Sequence, residues 1–344
     1  MKRFVVLLLL SFFIVSMLFL GTGCQQAAAE TTAAETTAAA SGDYGFTFIC
    51  KKLTDEWFKV EVAAMERTAQ ELGVKYNGID ANYNDELCMA AVDNVIVSKE
   101  DGVVICVTNQ GLGPAVAKKF EEAGIPLIAI DDRIEDESGN PVPYVGIPGY
   151  ESGISTGEAL IKLATERGFF NEGNNWKILI GDIVQVLTTH EMATGYQETF
   201  MKGIPGITED DIVVVDTKTG SYDDSIATIT SAFNAHPEVS HWILATTDDQ
   251  IGFASVKMLI EQNFDFKNAL VSGWGAYGPS KDIFLMGENI ANSYISLSLN
   301  PDKEGENAIR FLYDYVANGV EIPIETTYAG DMIDVNNWQK YFGN

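Results

Sequence analysis

From residue 43 onward, short runs of β-branched or aromatic residues alternate with longer stretches of helical period. The first pair is "YGFTFIC" followed by "WFKVEVAAMERTAQELG". The same alternation continues through "GVVICV", "PLIAI", "WKILIG", "IVVVDT", "HWILAT" and "NALVSGW", each followed by an amphipathic segment. Repetition of this kind predicts an α/β fold, with parallel sheets covered by helices on both faces. Eight or more such strands fit either one barrel or two open sheets. Two interruptions favour two sheets: "GIPGY" at Gly146 to Tyr150, just after "PYV", and "LSLNPD" near residue 300. Both read as crossovers between lobes.

The N-terminus follows a different pattern. Lys2 and Arg3 precede an uncharged apolar run from Phe4 to Leu20, which closes on "GTGC" at Cys24. This reads as a secretion signal over residues 1–23. Its rival is a membrane anchor, since the run approaches the roughly 20 residues that a spanning helix needs. Small residues immediately before Cys24 resemble a bacterial lipobox and predict lipidation of that cysteine. The next stretch, "QQAAAETTAAETTAAASGD", lacks aromatic and large aliphatic side chains and cannot bury enough surface to offset ordering. Residues 24–42 are therefore expected to be a lipidated cysteine and its flexible tether.

Composition narrows the partners. The chain has 344 residues, 46% of them hydrophobic, and a formal net charge of −27. That length supports one or two sizeable cores, and the charge disfavours polyanions, so nucleic acid is not expected as a ligand. Apart from Cys24 the cysteines are Cys50, Cys88 and Cys106, an odd number without metal-like spacing. They are expected to be small core residues.

In open α/β sheets ligands bind beyond the carboxyl ends of the strands, so the residues just after each strand carry the candidate chemistry. After the first strand come Lys51, Lys52, Asp55 and Trp57. After "PLIAI" come Asp131, Asp132 and Arg133; after "HWILAT" come Thr247, Asp248, Asp249 and Gln250; after "LVSG" come Trp274 and Tyr277. Carboxylates accept from hydroxyls, lysine donates, and an aromatic face covers the C–H patch of a pyranose, so the mixture suits a sugar. The competing reading is that these are solvated loop residues or helix caps, with Asp132, Asp248 and Asp249 simply starting helices and Trp57 acting as a core or staple residue.

Three other motifs lead nowhere. "GISTG", Gly153 to Gly157, matches the G-x-S-x-G of hydrolases, but Ser155 falls inside a predicted helix instead of on a turn after a strand. "HEMAT" at His190 has a threonine where a zinc-binding H-E-x-x-H needs its second histidine. "DANYNDE" from Asp80 starts like a calcium loop but lacks the glycine and glutamate that would complete one, and reads as a loop and helix start. No metal or cofactor is expected. Adjacent Asp131 and Asp132 point in alternate directions, unlike the paired carboxylates of a glycosidase, so no catalytic residue is assigned.

At these residues the sequence resembles the periplasmic sugar-binding proteins of the ribose, galactose and arabinose type, most of all their L-arabinose-binding branch that serves ABC importers. "GFTFICKKLTDEWF", "VVICVTNQGLGPAVAKKFEEAGIPLIAIDDRIEDESGNPVPYV", "THEMATGYQETF", "HPEVSHWILATTDDQIGFASV" and "LYDYVANGVEIP" carry the resemblance, in order. It implies two Rossmann-like lobes joined by a three-segment hinge, one from residues 43–147 plus 300–328 and the other from 148–299 plus 329–344. A monosaccharide would be held as the lobes close. Lys51, Asp55 and Trp57 match the family's first binding loop, with Asp55 in place of a glutamate, and Asp131 with Asp132 match its paired carboxylates. Ile147 falls where a pocket methionine lies. In the second lobe Met192 stands in place of a sugar-binding arginine, Asp248 in place of an asparagine, and Tyr277 aligns with a second asparagine. Trp274 and Tyr277 offer rings for stacking. The implied protein is a monomeric lipoprotein outside the cytoplasm that passes a pentose, hexose or small glycoside to a membrane-embedded ABC permease. A sugar sensor that presents its closed form to a membrane receptor is the alternative, and a glycoside hydrolase a distant third.

Overall fold

A computed structural model describes residues 43–328 and 330–343. The leader, Cys24 and the tether lie outside the described residues. Among those described, no helix is long and apolar enough to cross a membrane.

The chain first lays down β1 (Gly45–Cys50), α1 (Glu56–Leu72), β2 (Lys75–Asp80), α2 (Asp85–Ser98), β3 (Gly102–Ile105), α3 (Gly113–Ala123), β4 (Leu127–Ile130) and β5 (Tyr144–Gly146). It continues with α4 (Gly149–Glu166), β6 (Trp176–Asp182), α5 (Leu187–Gly203), β7 (Ile212–Asp216), α6 (Tyr222–Asn234), β8 (His241–Thr246) and α7 (Asp249–Glu261). Then come β9 (Ala269–Gly275), α8 (Gly278–Leu285), α9 (Glu288–Ala291), β10 (Tyr294–Ser298), α10 (Pro301–Asn318), β11 (Glu325–Thr327), β12 (Met332–Ile333) and α11 (Trp338–Phe342).

These strands make two six-stranded sheets, ordered β2-β1-β3-β4-β5-β11 and β7-β6-β8-β9-β10-β12. Every pairing is parallel except the one between β10 and β12. Each sheet is wound in the same sense, starting on its second strand from the edge and then reversing direction. That reversal leaves a crevice between β1 and β3 in one sheet and between β6 and β8 in the other, where the following loops diverge. The chain passes from the first sheet to the second after β5, returns after β10 to add β11, and passes over once more to add β12.

The alternation along each strand accounts for burial on both faces. In the first sheet Ile49, Val103, Ile105 and Ala129 face α2 and α3, while Phe46, Phe48, Val104, Ile128 and Ile130 face α1 and α10. Cys50, Cys88 and Cys106 are buried and free, as expected. In the second sheet Ile178, Ile180, Ile243 and Leu270 face α4 and α5, and Leu179, Trp242, Leu244 and Val271 face α6, α7 and α8.

Helices α4 and α5 approach unusually closely because glycines meet between them. A Cβ on Gly153 would stand 2.1 Å from the Met192 carbonyl oxygen, and one on Gly195 would stand 2.3 Å from that of Tyr150. The glycine that opens the hydrolase-like "GISTG" is thus a helix-packing residue, and Ser155 lies within α4 with its hydroxyl donating to Ser152 O at 3.2 Å.

Candidate functional site

The turn after β1 brings in Lys51, whose ammonium pairs with Asp132 beyond β4. Burial works against the lysine's charge, but Asp132 outweighs it and holds the ammonium pKa well above the usual value. Asp55 caps α1, accepting from Trp57 N–H at 3.2 Å, and also accepts from the Tyr83 hydroxyl at 3.3 Å. Trp57 donates its indole N–H to Asp131 at 2.9 Å. Asp131 sits in the left-handed region at φ 59°, a conformation uncommon outside glycine, asparagine and aspartate. Its carbonyl oxygen accepts from the Tyr144 hydroxyl at 2.8 Å, which fixes the bend.

Behind Asp131 lie two further carboxyls, Glu61 of α1 and Glu304 of α10, both fully buried. One oxygen of each and one of Asp131 lie within 4.8 Å of one another, and both oxygens of Glu61 and of Glu304 and Oδ2 of Asp131 are without a hydrogen-bond partner among the described residues. Three ionised carboxylates cannot share so dry a space. Burial, then the charge of Asp131, pushes both glutamates well above the ordinary carboxyl range. Burial raises Asp131 itself to about 6 even against Lys51.

The second sheet contributes from β8 and β9. Asp248 caps α7, accepting from Gln250 N–H at 2.6 Å, and its two oxygens lie 3.0 and 3.2 Å from the Tyr277 hydroxyl. Burial, reinforced by Asp249 and by Asp55 from the first sheet's side, lifts the Asp248 carboxyl to about 8. Asp249 is wholly buried and accepts from Tyr277 N–H at 2.9 Å, Tyr294 at 2.9 Å and Ser296 at 2.7 Å. It therefore holds the loop that presents Tyr277.

The two halves touch around these strand ends. The Thr188 hydroxyl donates to the Asp131 carbonyl at 3.3 Å, Leu187 N–H donates to the Gln110 side chain at 3.2 Å, and Arg133 pairs with Glu191 at 2.7 Å. Trp57 packs against core clusters of both halves, one of which contains Ile147, Met192 and Trp274. The structure thus gathers Lys51, Asp55, Trp57, Asp131 and Asp132 from one sheet with Asp248 and Tyr277 from the other. Ile147 and Trp274 are nearly buried beside them, and Met192 is fully buried in the second half's core, where the close α4–α5 contact holds it. A hollow of about 390 Å³ lined by Tyr150, Lys162, Glu198 and Lys202 lies on the α4 and α5 face, away from this meeting point.

Of the three aspartates expected to start helices, Asp248 caps α7 and Asp249 is its first residue, whereas no helix begins at Asp132, which pairs with Lys51 instead; Asp55, not expected as a cap, opens α1. Tyr83, Glu61 and Glu304 are not among the strand-end candidates of the sequence; Asp249 is, and its place is behind the Tyr277 loop. Glu61 and Glu304 did carry a signal, since each lies on the apolar stripe of its helix, alongside Met65 and Ala69 in one case and Ala308 and Leu312 in the other.

Two doubly wound halves, threaded by three passages of the chain and meeting at their strand ends, define the type I periplasmic binding protein fold. The chain belongs to the family of periplasmic binding proteins and sugar binding domains of the LacI family, whose model matches residues 45–276. It is 28% identical over 283 residues to the L-arabinose-binding periplasmic protein of Escherichia coli, covering 80% of this chain and 83% of that one. It is 22% identical over 304 residues to the ABC transporter L-arabinose-binding periplasmic protein of Azospirillum brasilense, covering 85% and 86%. Among solved structures, the periplasmic ribose ABC transporter protein of Conexibacter woesei superposes with a TM-score of 0.74 at 16% identity, over 89% of this chain and 97% of that one. A solute-binding protein of Burkholderia graminis in complex with D-arabinose gives 0.72 at 17% identity, over 88% and 99%.

Proposed function

We propose that this chain is an extracytoplasmic solute-binding protein that captures a monosaccharide between its two halves and delivers it to an ABC permease. The observation that carries the reading is the convergence of the Lys51–Asp132 pair, the Trp57–Asp131 pair and the Asp248–Tyr277 pair where the halves meet. Together they supply charged acceptors, a charged donor and aromatic faces, which is the mixture a polyhydroxylated ring requires. Trp274 adds a buried indole N–H without an acceptor among the described residues. The names of the two curated relatives support a sugar ligand and an importer partner.

Capture works by biasing an equilibrium. A ligand that touches both halves at once favours the arrangement in which they meet, by no more than its differential affinity for that arrangement. Lys51, Asp131, Asp132, Asp55 and Trp57 bind from the first half; Asp248, Trp274 and Tyr277 bind from the second, with Ile147 and Met192 filling the apolar wall behind them. In this reading Cys24 carries a lipid that keeps the protein at the membrane and residues 25–42 give it reach. The protein is a binder and not a hydrolase, because Ser155 lies within a helix and the carboxyls Asp131 and Asp132 are engaged by Trp57 and Lys51.

A thermal-shift panel of aldopentoses, aldohexoses and small glycosides on the purified protein tests the reading, since a ligand that binds only the folded state raises its melting temperature. One or more sugars should shift it by several degrees. A panel without any shift, repeated by calorimetry, would remove the sugar-binding function.

A further inference from the structure

Helix α5 begins without a cap of its own. Val186, the residue ahead of it, has no side-chain acceptor, and the first turn holds no acidic residue. The two threonines of that turn donate instead: Thr188 to the Asp131 carbonyl at 3.3 Å, and Thr189 to the Ile183 and Val186 carbonyls at 3.0 and 2.9 Å. The opening amides of a helix have no partner within it. One of them, Leu187 N–H, finds its acceptor across the boundary, in the Gln110 side chain at 3.2 Å.

Gln110 is prepared for this contact by its own half. It opens a short 3₁₀ turn after β3 (Gln110–Leu112), which Asn109 caps by accepting from Gly111 N–H at 2.9 Å. Thr108 and Asn109 donate to Asp85 at 2.6 and 3.4 Å, tying the loop to the start of α2. The Gln110 amide nitrogen donates to the Arg133 carbonyl at 2.9 Å, which turns its oxygen toward the second half. Arg133 in turn pairs with Glu191, one turn along α5 from Leu187. Asp131, Arg133 and Gln110 thus hold Thr188, Glu191 and Leu187. The loop that bears Asp131 and Asp132 is the one that α5 meets.

We infer that Gln110 is a latch for closure: its amide caps α5 from the opposite half, so the first turn of that helix is complete only while the halves meet. The inference rests on the sugar-binding reading above and adds a positioning residue to it. When the halves part, Leu187 N–H is left to water and Gln110 keeps only the Arg133 carbonyl. The latch joins neutral groups, so salt screens it less than the Arg133–Glu191 pair beside it. A sugar at Asp131 and the cap at Leu187 act on one loop, so each favours the other.

Hydrogen exchange at the Leu187 amide and calorimetry test the latch, with L-arabinose, D-ribose, D-xylose, D-galactose and D-glucose as probes. In the parent, saturation with whichever of these binds should slow exchange at Leu187 about ten-fold or more. Gln110→Met keeps the side chain's length and loses both hydrogen bonds. It should cut that slowing to about three-fold or less and raise the dissociation constant about three- to ten-fold, equally at low and high salt, as the loss of one hydrogen bond requires. The melting temperature without sugar should stay within about a degree. Adding Val186→Thr, which keeps the branched shape and supplies a cap in the extended backbone already present, should slow exchange in the first turn of α5 with or without sugar while the affinity stays low. An unchanged dissociation constant in Gln110→Met, or undiminished protection of Leu187, would overturn the inference and leave the sugar-binding reading standing. A lower melting temperature without sugar and an unchanged affinity would reduce Gln110 to a folding role and overturn it too. Silence from all five sugars with the parent would bring down the sugar-binding reading and the latch with it.

Discussion

Arg133, three residues past the end of β4, reaches Glu191 on α5 at 2.7 Å, so one ion pair ties the first half of the molecule to the second. The guanidinium is a quarter exposed and also stacks over Tyr144 with 4.9 Å to the ring centroid. Such a pair is worth at most about 1 kcal/mol. It exists only while the halves meet, however, and so bears on closure and not on folding.

Glu191→Gln should therefore weaken ligand binding by a few-fold while leaving the melting temperature of the ligand-free protein nearly unchanged. Small-angle scattering would show a larger mean radius of gyration without ligand. An unaltered dissociation constant together with an unaltered radius would show that Arg133 and Glu191 do not contribute to closure.

Trp57 touches both cores and donates to Asp131 at 2.9 Å. Replacement by alanine removes a ring face and leaves a buried carboxylate without that donor. The dissociation constant for the best ligand of the sugar panel should rise ten-fold or more, equivalent to about 1.4 kcal/mol. Titration by calorimetry measures it, and an unchanged constant removes Trp57 from the site.

Much of this arrangement was legible in the sequence, and the reasons for what was not are physical. The alternation of β-branched runs with amphipathic stretches gave the α/β class, because strands such as "GVVICV" are buried on both faces. Strand β2, "KYNGID", escaped notice because it is an edge strand with half of its residues exposed and so carries no apolar run. Strand β10, "YISLS", hides behind its serines: Ser296 is wholly buried because Asp249 accepts its hydroxyl. The strand-end rule located Lys51, Asp55, Asp131, Asp132 and Asp248. It was silent on Glu61 and Glu304, which reach Asp131 from within helices, and on Tyr83, whose loop precedes α2.

Gly153 tests the α4–α5 contact that backs Met192. An alanine there would set its Cβ 2.1 Å from a backbone carbonyl, which a rigid helix pair relieves only by moving apart. Overpacking of this kind costs about 1 to 3 kcal/mol, and the melting temperature should fall by several degrees. Ser155→Ala, on the same helix but exposed and bonded to Ser152 O, should change neither stability nor ligand affinity. A loss of ligand binding in Ser155→Ala would reopen the role of "GISTG".

The Asp248 carboxyl fixes the sign of one pH dependence. Its folded value of about 8 lies above the ordinary 3.8, so between those limits the folded protein holds a proton that the unfolded chain has released. Stability must then fall as pH rises from about 4 to about 8, with the full contribution present at the acid end and lost by the alkaline end. Burial of the Asp248 charge is the main cause of the raised value, Asp249 on its own helix and Asp55 at the start of α1 add to it, and the Gln250 amide and the Tyr277 hydroxyl after β9 offset only part. Glu61, Glu304 and Asp131 are raised as well and add to the same slope. Asp248→Asn should therefore flatten the fall in melting temperature between pH 5 and pH 8 without abolishing it, and should leave the variant more stable than the parent at pH 8. Glu61→Gln should remove a second share of the slope. Parallel melting curves for parent and Asp248→Asn across that range would mean that Asp248 is ionised in the folded protein, and that a cation reaches it which the structure does not place there.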